Sequence, residues 1–316
     1  MKTLKKTLIW IAILPLVFVI SCKDDDPAPA NENYILMTEY MVANDMDLDN
    51  ILTSWIESAA TVSASPSSYH IMDIRAAADY AAGHIDGAVN STLATIVADA
   101  ANVTDPILVV CYTGQSAAHA TVALRLSGHP DAKVLAFGMS GWTSDLSAPW
   151  EGGIGNIGVG NSNWTTDATA DLTSHSVPEW TTTATDPAEM LAERVAVMTS
   201  GGFKGVAAAD VLADPSSYFI NNYWAQADVD KYGHIATAAR INPLTLANDE
   251  FKYYNPDQTV VTYCWTGQTS SMVTAYLTVL GFDAKSLKFG VNSMIYDNLE
   301  SHKFAQPTVD LPVVTD

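Results

Sequence analysis

Two cysteines stand in nearly the same local context. Val109-Val110-Cys111-Tyr112-Thr113-Gly114-Gln115-Ser116 is echoed by Thr262-Tyr263-Cys264-Trp265-Thr266-Gly267-Gln268-Thr269, and the copies lie one domain length apart. In each, an apolar run closes on the cysteine and a Thr-Gly-Gln segment leads into a helix-like stretch. A thiol where a strand hands over to a helix meets unpaired amide N–H groups and the positive end of the helix dipole, and both favour a thiolate. Such a sulfur is a nucleophile, and the same amides would hold the charged outer sulfur of a persulfide. The candidate nucleophiles are therefore Cys111 and Cys264. One candidate substrate-binding loop comprises Tyr112, Thr113, Gly114, Gln115, Ser116 and Ala117; the other comprises Trp265, Thr266, Gly267, Gln268, Thr269 and Ser270. Gly114 and Gly267 permit a left-handed turn or close approach of a substrate. The hydroxyls of Thr113, Ser116, Thr266, Thr269 and Ser270 are available to a bound anion. Two blander readings compete: a core cysteine at a strand end, and a disulfide joining Cys111 to Cys264. Neither requires the same Thr-Gly-Gln beside both sulfurs.

The elements that must position these loops repeat with them. The first copy predicts a helical opening from Leu48 to Ala60, a turn at Ser65-Pro66-Ser67-Ser68 and a strand from Tyr69 to Ile74. The second predicts a helix from Ala188 to Met198, then Pro215-Ser216-Ser217-Tyr218 and a strand from Phe219 to Asn222. Gly83-His84-Ile85 matches Gly233-His234-Ile235, and the apolar strand from Ile107 to Val110 matches Thr259 to Tyr263. Gly128 and Gly281 read as helix C-caps. Asp131-Ala132-Lys133 matches Asp283-Ala284-Lys285, and Phe137-Gly138 matches Phe289-Gly290. Strands alternating with helices predict an α/β class with parallel sheets covered on both faces. The expected domains are residues 46–148 and 187–305. Residues 149–186, rich in Gly, Asn, Ser and Thr, are expected to link them, with 306–316 as a tail.

Asp73-x-Arg75, Tyr80-x-x-Gly83-His84-Ile85-Asp86-Gly87-Ala88-x-Asn90, the strand ending in Cys111, and Gly138-Met139-Ser140-Gly141-Trp142 together resemble a rhodanese domain. The match covers residues 50–145 and, more weakly, 190–300, so the chain is similar to tandem rhodanese-like lipoproteins. The resemblance implies two rhodanese-like domains, each a central parallel sheet flanked by helices. It also implies a sulfurtransferase whose cysteine takes sulfane sulfur from a donor, carries it as a persulfide and passes it to a thiophilic acceptor, without metal or organic cofactor. Cys111 and Cys264 match the sulfur-carrying position. Family members that use thiosulfate place Arg or Lys in or just after the loop, and neither loop here has one. That argues against thiosulfate and for a protein persulfide or another small sulfur donor such as a polysulfide, with a thiol as acceptor. It also argues against the phosphatases of this fold, which need Cys-x5-Arg to bind phosphate. Asp73 and Arg75 align with Asn222 and Trp224, so the second copy has drifted; the Asp-x-Arg pair reads as structural, and residue matching favours Cys111. The alternative is a non-catalytic rhodanese-fold binding module of the cell envelope. His84 and His234 read as fixing a strand-to-loop turn, and the seven histidines show no metal-ligand spacing. The tryptophans, dispersed along the chain, read as core or linker packing.

The chain opens with Lys2, Lys5 and Lys6 and an apolar run from Leu8 to Ile20, broken by Pro15. The run falls short of the roughly 20 residues that span a bilayer and reads as a signal peptide over residues 1–21. Val19-Ile20-Ser21-Cys22 resembles a lipobox, which would make Cys22 the lipidated N-terminus. Lys23-Asp24-Asp25-Asp26 is similar to an export tag for surface lipoproteins of some Gram-negative bacteria. The expected location is the cell envelope, anchored to the outer membrane and exposed at the surface. Residues 22–45, with Pro27 and Pro29, read as a flexible tether. Acids outnumber bases 35 to 15, and removing three lysines with the signal takes the net charge from −20 to −23. That field disfavours nucleic acid and anionic lipid, leaving membrane contact to the lipid alone.

Overall fold

The runs before the two cysteines become inner strands of two parallel sheets, with every residue of both strands buried. The computed structural model describes residues 32–316. In chain order the first half contains α1 (Glu32–Ala43), α2 (Leu48–Ile51), β1 (Ile56–Glu57), α3 (Ala59–Ala64), β2 (His70–Asp73) and α4 (Ala77–Ala82). It continues with β3 (Val89–Asn90), α5 (Ile96–Asp99), β4 (Ile107–Val110), α6 (Gln115–Leu126) and β5 (Lys133–Leu135). Then α7 (Ala148–Glu151) and β6 (Trp164–Thr165) lead into α8 (Pro187–Ser200), β7 (Gly205–Val206), α9 (Ala208–Ala213) and β8 (Phe219–Asn222). The second half closes with α10 (Gln226–Tyr232), β9 (His234–Ile235), β10 (Val260–Tyr263), α11 (Gln268–Leu280) and β11 (Ala284–Leu287).

The first sheet has the order β1-β5-β4-β2-β3 and the second β7-β11-β10-β8, with every pairing parallel. The two orders superimpose strand for strand except at one edge. There the counterpart of β3 shrinks to a single bridge between Asn221 and Ala239. Two α/β units with helix-flanked parallel sheets are thus present, as the resemblance implies.

Helices α6 and α11 follow the central strands and pack against each other, with α1 and α8 alongside. A single apolar core therefore runs through both halves, including Met37, Met41, Val122, Leu126, Met198, Met272, Val273 and Tyr276. Each sheet covers its other face separately, with Val62, Ile71, Leu108, Leu135 and Trp142 in the first half and Ile220, Trp224, Val261 and Leu287 in the second. Asp47 ties the halves: its carboxylate caps α2 at Leu48 N (2.7 Å) and also accepts from Leu246 N (2.7 Å) and Ala247 N (3.0 Å).

Three expectations need correction. The segment read as a tether contains α1, whose Tyr34, Met37 and Met41 are buried at helical spacing; Pro27 and Pro29 precede it and say nothing of it. Residues 22–31 of the tether, Cys22 among them, and the signal peptide lie outside the described residues. The helix expected from Leu48 to Ala60 is interrupted by β1, because Trp55 O and Glu57 O accept ladder bonds from Val134 N and Ala136 N. Residues 149–186 do not simply link the halves. β6 pairs antiparallel with β9, Ala170 bridges Ala239, and His175 N donates to Lys252 O, so the segment runs along the second sheet. Residues 306–316 return to the first half, where Val314 bridges His84 and Trp142 Nε1 donates to Pro312 O at 2.9 Å.

Candidate active site

Both cysteines are free thiols. Each side chain turns from the end of its strand into a cup of loop amides. Cys111 Sγ accepts from Gly114 N at 3.1 Å and Ala117 N at 3.4 Å, and Cys264 Sγ accepts from Ser270 N at 3.3 Å. Gly114 and Gly267 stand before α6 and α11 at φ 78° and 79°, a left-handed conformation open to glycine at little cost. That turn brings the free N–H groups of each first helical turn around the sulfur. Access is narrow: Cys111 is 4% exposed and Cys264 2%.

A second turn supports each loop from below. Phe137 and Phe289 adopt the left-handed region at φ 61° and 63°, which is uncommon for a bulky residue. Beyond them, Met139 N donates to Cys111 O (2.8 Å) and Ser140 N to Tyr112 O (3.0 Å). In the second copy Val291 N donates to Cys264 O (3.0 Å) and Asn292 N to Trp265 O (3.3 Å).

The sites face one another. Gln268 Oε1 accepts from Phe137 N at 2.9 Å, and Gln115 Oε1 accepts from Phe289 N at 2.8 Å. Within its own loop each amide donates to a threonine: Gln115 Nε2 to Thr113 Oγ1 (3.2 Å) and Gln268 Nε2 to Thr266 Oγ1 (3.1 Å). Trp150, fully buried, donates Nε1 to Thr113 O at 3.0 Å. It packs edge-on against Phe137 and Phe289 and stacks on Phe304, closing the space where the two turns meet.

The surroundings of the two sulfurs differ. Beside Cys264, Ser270 Oγ lies 3.6 Å from Sγ and 2.8 Å from Ser286 Oγ, while Ser271 Oγ donates to Gly267 O at 2.6 Å. The matching positions around Cys111 are Ala117, Ala118 and Val134. At the outer side, Arg75 lies over the Tyr112 ring at 5.1 Å. Its charge is committed, since Nη2 reaches Asp73 Oδ2 at 2.6 Å and also donates to Gly83 O. Burial works against the Arg75 charge, Asp73 outweighs it, and the guanidinium is held above its ordinary range. Burial and nearby Asp79 push the Tyr112 phenol up, with Arg75 opposing. In the second copy this pair becomes aromatic: Trp265 lies between Trp224 and His302, each at 4.6 Å.

Thus Cys111, Gly114, Gln115 and Ala117 converge on one loop, and Cys264, Gly267, Gln268 and Ser270 on the other. Ser116 and Thr269 are partly exposed on the first helical turns, and Tyr112 and Trp265 carry the outer walls. His84 Nδ1 bonds Tyr80 O and its ring stacks on Tyr80, while His234 bonds Ile235 O and Asp167 O. Sequence reasoning missed the Trp150–Phe304 closure and Ser286, for which no local pattern exists. It also missed the cross-domain reach of the glutamines, although their recurrence in both copies was the available signal.

A family model described as Rhodanese-like domain matches residues 58–145 and 198–295, together more than half of the chain. No curated protein is a match. Among solved structures, a thiosulfate sulfurtransferase from Pseudomonas aeruginosa is 15% identical with a TM-score of 0.30, over 88% of this chain and 48% of that one. This chain thus spans about half the length of that protein. A 3-mercaptopyruvate sulfotransferase from Escherichia coli is 17% identical with a TM-score of 0.29, over 74% of this chain and 98% of its own. A rhodanese-related protein from Thermoplasma volcanium is 20% identical with a TM-score of 0.28, over 36% of this chain and all of its own. Likeness of this degree says nothing of activity.

Proposed function

The chain belongs to the rhodanese-like domain family, carrying that domain twice, and on this premise we propose that it moves sulfane sulfur through a cysteine persulfide. The observation that supports the reading most is the pair of loop amides aimed at Cys111 Sγ, with a third at Cys264 Sγ. Donors so placed stabilise negative charge on sulfur without rearranging. The cysteine attacks an S–S bond of the donor; a new Sγ–S bond forms as the donor bond breaks, and the shortened donor leaves with the electron pair. An acceptor thiolate then takes the outer sulfur, and Cys Sγ departs with the electrons of the Sγ–S bond. The exchange is balanced without an external oxidant, metal or organic cofactor. With Arg75, the cation over the Tyr112 ring, paired to Asp73, a polysulfide or protein persulfide suits the site better than thiosulfate.

The rival reading, a non-catalytic binding module, is favoured by the burial of both sulfurs and by the aromatic closure where the two supporting turns meet. Turnover decides between them. Incubation with polysulfide and a thiol acceptor should release sulfide at a rate that falls at least about a hundredfold in the Cys111→Ser, Cys264→Ser double variant. An unchanged rate supports the binding module.

We place the protein in the cell envelope, lipid-anchored through Cys22 to the outer membrane and displayed at the surface. The proposal stands on the lipobox-like Val19-Ile20-Ser21-Cys22 and the acidic run after it. Among the described residues no helix is long and apolar enough to cross a membrane.

A further inference from the structure

Each cysteine loop is braced by a side chain of the opposite domain, and we propose that Gln268 is a positioning residue for Cys111, and Gln115 for Cys264. The path is continuous. Gln268 Oε1 accepts from Phe137 N at 2.9 Å, holding a bulky residue in the left-handed region at φ 61°. The turn that Phe137 starts donates Met139 N and Ser140 N to the carbonyls of Cys111 and Tyr112. Those carbonyls fix the loop whose amides at Gly114 and Ala117 meet Sγ. Gln115 repeats every step toward Cys264 through Phe289 N, Val291 N and Asn292 N.

Both glutamines are buried, Gln115 at 3% and Gln268 at 2% exposure. Gly114 and Gly267 make room for the exchange: a Cβ at either would fall within 3.0 Å of the opposite glutamine's Oε1. The glycine therefore serves two ends, the left-handed cap of its own helix and passage for the neighbour's side chain. A glutamine at the first position of each cysteine helix thereby acts on the sulfur in the other domain. The inference rests on these loops being the working sites of sulfur transfer.

The test keeps the full chain and leaves one cysteine at a time. In a Cys264→Ser background, Gln268→Met removes the acceptor, and Gln268→Asn leaves it one methylene too short if the Met variant fails to fold. Freed of its brace, the loop should open. Iodoacetamide alkylation of Cys111 should speed up by at least about threefold, and persulfide loading from polysulfide should slow by a similar factor. Tyr276→Phe, which deletes another hydrogen bond from α11 to the first domain, at Met46 O, serves as the control and should leave Cys111 alkylation unchanged. Unchanged alkylation in the Gln268 variants, or an equal change in Tyr276→Phe, overturns the proposal. If no persulfide forms on the Cys264→Ser parent, transfer through Cys111 fails on its own, while alkylation still decides the bracing role.

Discussion

Gly138 and Gly290 sit where an added Cβ would fall within 3.0 Å of the carbonyl oxygens of Cys111 and Cys264, at φ 61° and 54°. Backbone has no rotamer with which to yield, so the substitution must displace the loop itself. Gly138→Ala is expected to cost about 3 kcal/mol in denaturant unfolding. Gly87→Ala is the contrast: it shares a positive φ of 81° but meets nothing within 4 Å, and should cost only about 1 kcal/mol. Equal losses would show that backbone conformation, and not close approach, explains the conserved geometry of the two copies. At this scale the sequence was partly readable. Cys111 and Cys264 announced themselves through their repeated flanks, and Gly114 and Gly267 through the turn those flanks require. Ser286 beside Ser270, and Arg75 over Tyr112, depend on strands that meet only in the folded sheet. The strand-to-helix geometry around Cys111 and Cys264 was therefore legible before its surroundings were.

Helices α6 and α11 carry the coupling between the sites, and a buried histidine lies between them. His119 on α6 bonds Ser271 O through Nδ1 at 3.2 Å, packs edge-on against Phe203, and its Nε2 has no partner. Burial, with Lys204 adding to it, pushes its pKa down to about 4, against a hydrogen bond to Ser271 that works the other way. In the unfolded chain the imidazole takes a proton near pH 6.5, whereas the folded chain refuses it until about pH 4. The stability held by the neutral ring is thus complete above pH 6.5 and lost as pH falls between those values, by about 3 kcal/mol in all. His119→Asn, retaining a donor for Ser271 O, should flatten the urea midpoint over that range relative to the parent; parallel curves would contradict the assignment. Elements were legible where their pattern was local. The buried runs of β4 and β10 and Gly281, which caps α11, fall in this class; α6 caps at Ser127 instead, with Gly128 one residue beyond at φ 99°. β1 was hidden, because Ile56–Glu57 is a strand only by virtue of Lys133–Leu135, far along the chain. α1 was hidden by the prolines that precede it.

Across the whole molecule, the repeats fold as two domains that cannot be parted cleanly. They share the core around α6 and α11, cross at Asp47, and are strapped by residues 306–316, where Leu311 N donates to Trp142 O and Asp310 accepts from Ser144 N. Repetition predicted two units and their sheets. It did not predict that the units would turn their cysteine loops toward each other, because a sequence read along one line carries no orientation between its copies. That juxtaposition makes the proposed sulfur chemistry a matter for the intact chain, and mass measured on the intact chain tests it most directly. After incubation with polysulfide and removal of excess, the protein should gain the mass of one or two sulfur atoms, released by reductant. The gain should vanish from the corresponding peptide in Cys111→Ser or Cys264→Ser. An unaltered mass, or added sulfur that persists when both cysteines are replaced, would contradict a persulfide carrier held by the loop amides.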